Sequence, residues 1–355
     1  MTVLELSAEM EARARSLHQQ AFVFDACFST PGFFKEEETE IQAFQDGGIH
    51  GGLATMAEEE HNFVKAVDSI NKHCKLFNRH PDKVLVCSSV EELEQCKAAG
   101  KVGFVIHFQD TRPIETDLDY LKVFHKLGLR VLQLTYNTQN YVGSGCCEPH
   151  DAGLSSFGRE VVEECNRLGM LIDLSHCGYA TCWDAIRHTR KPLSLTHVGA
   201  HALCPATGRN KPDEILKAVA DTGGVIGIAF FAPLVKRNPK TQEVLLAGVD
   251  DVIGHIDHVA KLVGADHVGI GSDLSNYYAR TLEMPPFSSI RSYRPLRPDV
   301  FGVGPVDRYD PWPVGLESHA KMLNLTRGLV KHGYSDEDVR KILGGNWLRL
   351  FRETW

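Results

Sequence analysis

Eight short apolar runs recur along this chain at intervals that helices would fill, and no other feature narrows its fold as much. The runs are Phe22–Cys27, Gly52–Met56, Gly103–Phe108, Arg130–Thr135, Met170–Ser175, Pro192–His197, Gly224–Phe231 and His267–Asp273. Each is apolar almost throughout and gives way to polar or glycine-rich residues, as strands buried on both faces of a parallel sheet do. Helical patterns lie between them. Asp117–Leu127, Asp213–Thr222 and Asp250–Val263 are three; Phe157–Leu168 is a fourth, with Ser155 and Ser156 as N-cap candidates and Gly169 as its stop. This alternation predicts an α/β fold, a (β/α)8 TIM barrel. A doubly wound sheet is the rival, but no G-x-G-x-x-G follows the first run.

A chain of 355 residues suits one barrel with insertions, so residues 1–355 read as a single domain. No repeat or low-complexity linker divides it. Two segments break the alternation, 138–153 and 284–315. Both follow strands, which in a barrel puts them on the C-terminal face, where they would cover a substrate.

The net charge of −8 offers no basic excess, so nucleic acid is not an expected partner. No apolar stretch is long enough to span a membrane. The N-terminus has early acids and no apolar h-region, so it reads as a short helix with Leu4, Leu6, Met10 and Leu17 on one side. A cytoplasmic location is the expectation. The ten cysteines then read as reduced thiols, most of them small core residues.

Seventeen histidines turn attention to the strand ends. The fifth strand ends in Ser175-His176, the sixth in Thr196-His197 and the eighth in Gly271-Ser272-Asp273. In a barrel these meet at one mouth. Two imidazoles and a carboxylate with open positions suit zinc, or equally a non-haem iron. Asp273 would be a third ligand or the base that takes a proton from water. Cys27 ends the first strand, Gln109 the third and Tyr136 the fourth. His107, two before Gln109, shares its face, and His150 in the 138–153 loop is a candidate substrate contact. The helical pair His255 and His258 reads as packing.

Several segments together resemble the membrane (renal) dipeptidase family of metallopeptidases. They are Gly153-Leu-Ser-Ser-Phe-Gly158, Asn166 through Ile172-Asp-Leu-Ser-His176, Ser194-Leu-Thr-His197, Gly208-Arg-Asn-Lys-Pro-Asp213, and His255 onward to Gly269-Ile-Gly-Ser-Asp273. Ser335–Asn346 also fits. The resemblance implies an amidohydrolase-like barrel with two metals. By position it makes His176 and His197 the second-metal histidines, Asp273 the proton-transfer aspartate and Arg209 the arginine for a substrate carboxylate. The family is often dimeric, so a homodimer is a possible assembly.

The departures concern the first metal. The family's His-x-Asp falls on Cys27-Phe28-Ser29, its bridging Glu on Gln109 and its carbonyl-polarising His on Tyr136. Two divalent ions need an anionic bridge against their mutual repulsion, and a neutral Gln supplies none. One divalent metal is therefore expected, zinc before iron, on His176 and His197 with Gln109 or Cys27. Tyr136 would donate to a developing oxyanion.

Three readings follow. The first is a one-metal hydrolase cleaving a small dipeptide or related carboxylate-bearing amide. The second keeps the barrel and the single metal but performs non-peptidase chemistry on a specialised metabolite. The third is a non-catalytic homologue that binds a ligand.

Overall fold

The computed structural model describes residues 4–277, 296–304 and 312–355. Every expected apolar run holds a strand. In chain order the strands are β1 Phe24–Phe28, β2 Gly51–Ala57, β3 Val84–Cys87, β4 Val102–Phe108, β5 Leu129–Gln133, β6 Leu171–Asp173, β7 Leu193–Val198, β8 Val225–Ile228 and β9 Val268–Ile270. All pairings are parallel, and eight strands follow one another around a barrel in the order β1-β2-β4-β5-β6-β7-β8-β9.

The ninth strand, β3, was not expected. It pairs with the first half of β4, from Val84↔Val102 to Cys87↔Val105. The second half of β4 pairs with β5. So β3 occupies the edge of β4 below the point where β5 begins. It leaves Leu85 44% exposed, so it lacks the near-complete burial of the others.

Between β1 and β9 there is one bridge, Phe28↔Leu274, rather than a ladder. The Asp273 amide donates to Cys27 O (2.8 Å), and the Ser29 amide to Leu274 O (2.9 Å). Asp25 adds a side-chain tie. Its Oδ1 accepts from the Ser272 amide (2.7 Å), and its Oδ2 stands 3.0 Å from His319 Nε2.

The helices follow their sequence signals closely. Ser155 caps Ser156–Leu168 by accepting from the Gly158 amide, and Gly169 ends it in a left-handed conformation at φ +72°. Asp117 likewise caps Leu118–Lys126. The first helix departs from expectation. Ser7 caps it, so it runs Ala8–Gln20 and Leu4 and Leu6 lie before it. Among the described residues no helix is long and apolar enough to cross a membrane.

The barrel interior changes character along its axis. At the N-terminal end Phe24, Leu53, Val105, Val131, Leu171 and Val225, one from each of six strands, cluster with Trp347 of the helix Asn346–Thr354. Burying each such aliphatic or phenyl side chain contributes about 1.5–3 kcal/mol. One turn of the alternation higher, the same faces of three of these strands carry His107, Gln133 and Asp173. The floor is thus apolar and the mouth polar.

Residues 138–153 form no helix or strand, but the segment is pinned. The Asp151 carboxylate accepts from the Ala180 amide (2.6 Å) and the Thr181 hydroxyl (3.0 Å), and Asn140 Nδ2 donates to Asp110 Oδ1 (3.0 Å). Of the second expected insertion, 284–315, most lies outside the described residues. Its helix Pro298–Phe301 packs Val300 and Phe301 against Cys146 and Cys147 of the first insertion.

Candidate active site

Seven of the nine residues singled out from sequence gather at the C-terminal mouth, the other two being His107 and His150. Cys27 lies in β1 and His197 in β7; Gln109, Tyr136, His176 and Asp273 follow β4, β5, β6 and β9. Arg209 stands in the connection from β7 to the helix Asp213–Asp221. Six of the seven are buried, and Asp273 is partly open. His150 is exposed on its loop, and no described hydrogen bond joins it to the others.

The two histidines form the centre. Their Nε2 atoms stand 3.0 Å apart. What each ring does at Nδ1 fixes its protonation. Asn137 Oδ1 lies 2.9 Å from His176 Nδ1, and an amide oxygen can only accept, so Nδ1 carries the proton. Thr196 donates its hydroxyl to Asp173 Oδ2 (2.7 Å), so at His197 Nδ1, 2.7 Å away, it accepts. Both Nε2 atoms therefore present lone pairs to one another. Such a pair is repulsive unless a cation lies between. Burial, reinforced by Arg209, holds both rings far below the usual imidazole range, so they stay neutral. Two imidazole nitrogens on one tetrahedral zinc are about 3.3 Å apart, so the observed pair fits a shared divalent ion.

The supports are themselves held. Asp173 accepts from the amide and hydroxyl of both Ser175 and Thr196. The backbone of Cys146 in the pinned loop donates to His176 O (2.8 Å), and its thiol donates to Asn137 Oδ1. Tyr136 stacks on His176 at 4.1 Å between ring centroids, nearly parallel. Burial and the nearby acids Glu58 and Asp273 raise its phenol well above the usual range, so it remains a donor.

Arg209 is buried, with Nη1 donating to Ser175 O (3.1 Å) and His197 O (3.3 Å). Those bonds use one nitrogen of the guanidinium, and the rest of the fork can receive an anion. Asp273 sits at φ +59°, a conformation uncommon for a residue with a Cβ and tied here to its amide bond with Cys27 O. Burial raises its carboxyl to about 6, with Arg209 opposing and Asp25 adding to the rise.

Cys27, His197 and Asp273 bring one ligand-type atom each within 4.8 Å of one another. Gln109 Nε2 donates to Cys27 Sγ (3.0 Å) and Thr55 Oγ1 (3.1 Å).

Sequence reasoning missed two residues. Asp173, whose carboxylate sets the tautomer of His197 through Thr196, looked like one more member of a strand. Glu58 directly follows β2. Burial, Glu59 and Asp273 raise its carboxyl to about 8. Listing the residue after Ala57 beside the other strand ends would have found it. His107 lies inside the barrel as its spacing implied. It is fully buried, pushed down to about 3 by burial, and 3.8 Å from Asp173 Oδ2. Among the described residues neither of its ring nitrogens has a hydrogen-bond partner.

The chain is similar to several known proteins. Two curated relatives are "Dipeptidase aclJ" of Aspergillus oryzae, 30% identical over 284 residues, and "Dipeptidase tcpJ" of Claviceps purpurea, 29% identical over 282. Each alignment takes in 79% of this chain, and the chain spans 58% and 57% of those relatives' length. An amidohydrolase from Pseudomonas aeruginosa superposes with a TM-score of 0.81 at 32% identity, over 96% of this chain and 99% of the other. Residues 11–285 match the family described as "Membrane dipeptidase (Peptidase family M19)". With that match over most of its length, the chain belongs to the membrane dipeptidase family, peptidase family M19.

Proposed function

We propose that this protein is a metal-dependent hydrolase that cleaves a small dipeptide or a related amide carrying a carboxylate, with one divalent ion, zinc, held on His176 and His197. The observation that carries this reading is the pair of Nε2 lone pairs 3.0 Å apart, with Asn137 and Thr196 fixing both tautomers. Both curated relatives are named dipeptidases, which supports the substrate class.

A divalent cation at this pair supplies Lewis acidity toward water and the scissile carbonyl. The protein's own groups do the rest. The free edge of the Arg209 guanidinium pairs with the substrate carboxylate and sets the register of the amide. Tyr136 Oη donates to the carbonyl oxygen as negative charge develops there. The Asp273 carboxylate, ionised at neutral pH, accepts the proton of the attacking water and returns it to the leaving amine. The burial of the surrounding side chains keeps bulk water from the reacting atoms.

The test is a panel of dipeptides in both stereochemistries, run on protein of known metal content. Hydrolysis that disappears in His176→Ala and His197→Ala together with the metal supports the reading. Full metal occupancy with no hydrolysis of any member removes it. It favours the second reading, other chemistry on a specialised metabolite at the same ion, which the replacement of the family's first-metal ligands by Cys27, Ser29 and Gln109 keeps open.

A further inference from the structure

We propose that Glu58 receives a cationic end of the substrate, so that the pocket takes a zwitterion, with a carboxylate on Arg209 and a free ammonium on Glu58. This deepens the hydrolase reading above and rests on it for the place of the scissile amide.

Strand order sets the two charges apart. Eight strands follow one another around the barrel as β1-β2-β4-β5-β6-β7-β8-β9. Glu58 directly follows β2, and Arg209 stands beyond β7, four places away in a ring of eight. The acid and the guanidinium thus belong to opposite sides of the mouth. Tyr136 follows β5 and Asp273 follows β9, on either side between them. The charges agree with this placement. Tyr136 lies in the fields of both Glu58 and Arg209. Asp273 lies in the field of Arg209, and its own field reaches Glu58.

The two acids after Glu58 are placed differently. Glu59 accepts from the Thr138 hydroxyl (3.1 Å) and stands 3.7 Å from Arg112 Nη1, and Glu60 is exposed. Glu58 is partly buried, and its backbone amide donates to His61 Nδ1 (3.2 Å). Among the described residues no hydrogen bond or ion pair engages its carboxyl. An acid withdrawn from water without a partner is costly. The charged groups that act on it are Glu59, Asp273 and Glu60, all acids, and with burial they raise its carboxyl to about 8. A bound cation relieves that cost and a bound anion adds to it, which is discrimination by charge. A dipeptide spans about 7 Å when extended. It carries its carboxylate, its amide and its ammonium in the order in which Arg209, the pair Tyr136 and Asp273, and Glu58 cross the mouth.

The experiment compares alanyl-alanine with N-acetyl-alanyl-alanine on the metal-loaded protein. The wild type should favour the free amine by about tenfold or more in kcat/KM. Glu58→Gln should lose about 10–100-fold on alanyl-alanine, mostly through KM, and stay within about twofold on the acetylated compound. Glu58→Asp should recover part of the loss, and Glu60→Gln should lose nothing. An equal loss on both compounds, or no loss on either, overturns the assignment and leaves the hydrolase reading standing. If Glu58→Gln does not fold, the wild type decides alone, and equal turnover of the two compounds overturns the assignment. If the wild type hydrolyses neither, the same pair is titrated into it by calorimetry. A preference for the free amine that vanishes in Glu58→Gln then upholds Glu58 while the hydrolase reading falls. Binding without that preference, or no binding, overturns Glu58 as well.

Discussion

The hydroxyl of Thr196 stands 2.7 Å from Nδ1 of His197 and decides which nitrogen of that ring carries the proton. It can do so because its own hydrogen is committed to Asp173. Outer contacts of this kind orient a metal-binding imidazole, and their loss typically costs 10–100-fold in affinity. Thr196→Val keeps the shape and removes the acceptor. We expect metal affinity to fall by about 10–100-fold, measured by competition with a chromophoric chelator. Thr196→Ser should restore most of it. Unchanged affinity in the valine variant would remove Thr196 from the site.

Arg209 faces the substrate's carboxylate in the proposed mechanism. A lysine there retains the charge but loses the planar fork. Arg209→Lys should reduce kcat/KM on a dipeptide by about 10–100-fold, mostly through KM, in line with a charged hydrogen bond of about 1.5–3 kcal/mol. The same substrate amidated at its C-terminus is the control. An equal loss on both would mean that Arg209 acts only on the protein backbone.

Stability should depend on pH through buried neutral imidazoles. His50 Nδ1 accepts from the Val23 amide (3.1 Å), and burial, with Lys97 adding, pushes its pKa to about 4. His255 Nδ1 accepts from the Ala200 amide (3.0 Å), and burial lowers it too. With the folded pKa below the unfolded value of 6.5, the unfolded chain binds more protons between about 4 and 6.5. Stability is therefore fully present above that window and declines as pH falls through it. Urea midpoints across this range should show the decline, with a shallower slope in His50→Asn. A flat profile would count against the buried neutral state.

Gly271 offers a purely steric test. A Cβ there would come within 1.7 Å of Thr196 O. Overpacking of this kind typically costs 1–3 kcal/mol, and here rigid backbone has to move. Gly271→Ala should lose about 3 kcal/mol in chemical denaturation. It should also weaken metal binding, because the displaced carbonyl adjoins His197. Native metal affinity in a folded variant would separate this backbone contact from the site.

The sequence announced the barrel because its eight barrel strands are buried almost throughout, so each lies within an apolar run. β3 is a run of only four apolar residues, Val84–Cys87, partly exposed and with no helical pattern assigned before it. The residues proposed for the metal and the proton were legible because His176, His197 and Asp273 each terminate a run. Their supports were not. Asp173 reads as one residue within a strand, and nothing in the linear order says that its carboxylate reaches Thr196 across to β7. Glu58 was missed for a different reason. It lies just past the run at Gly52–Met56, and an acid after a strand carries no mark in the sequence of its burial.

Cys27 lies in the first strand and Asp273 just beyond the last, so the pocket straddles the join where the sheet meets itself. One backbone bridge and the carboxylate of Asp25 hold that join, and His319, stacked on Phe44 at 4.0 Å, backs the carboxylate from outside the pocket. Part of what holds the two margins of the cleft together thus lies in the barrel's outer wall. A disturbance at His319 would reach the chemistry by letting the two margins part, with every group that touches substrate still in place.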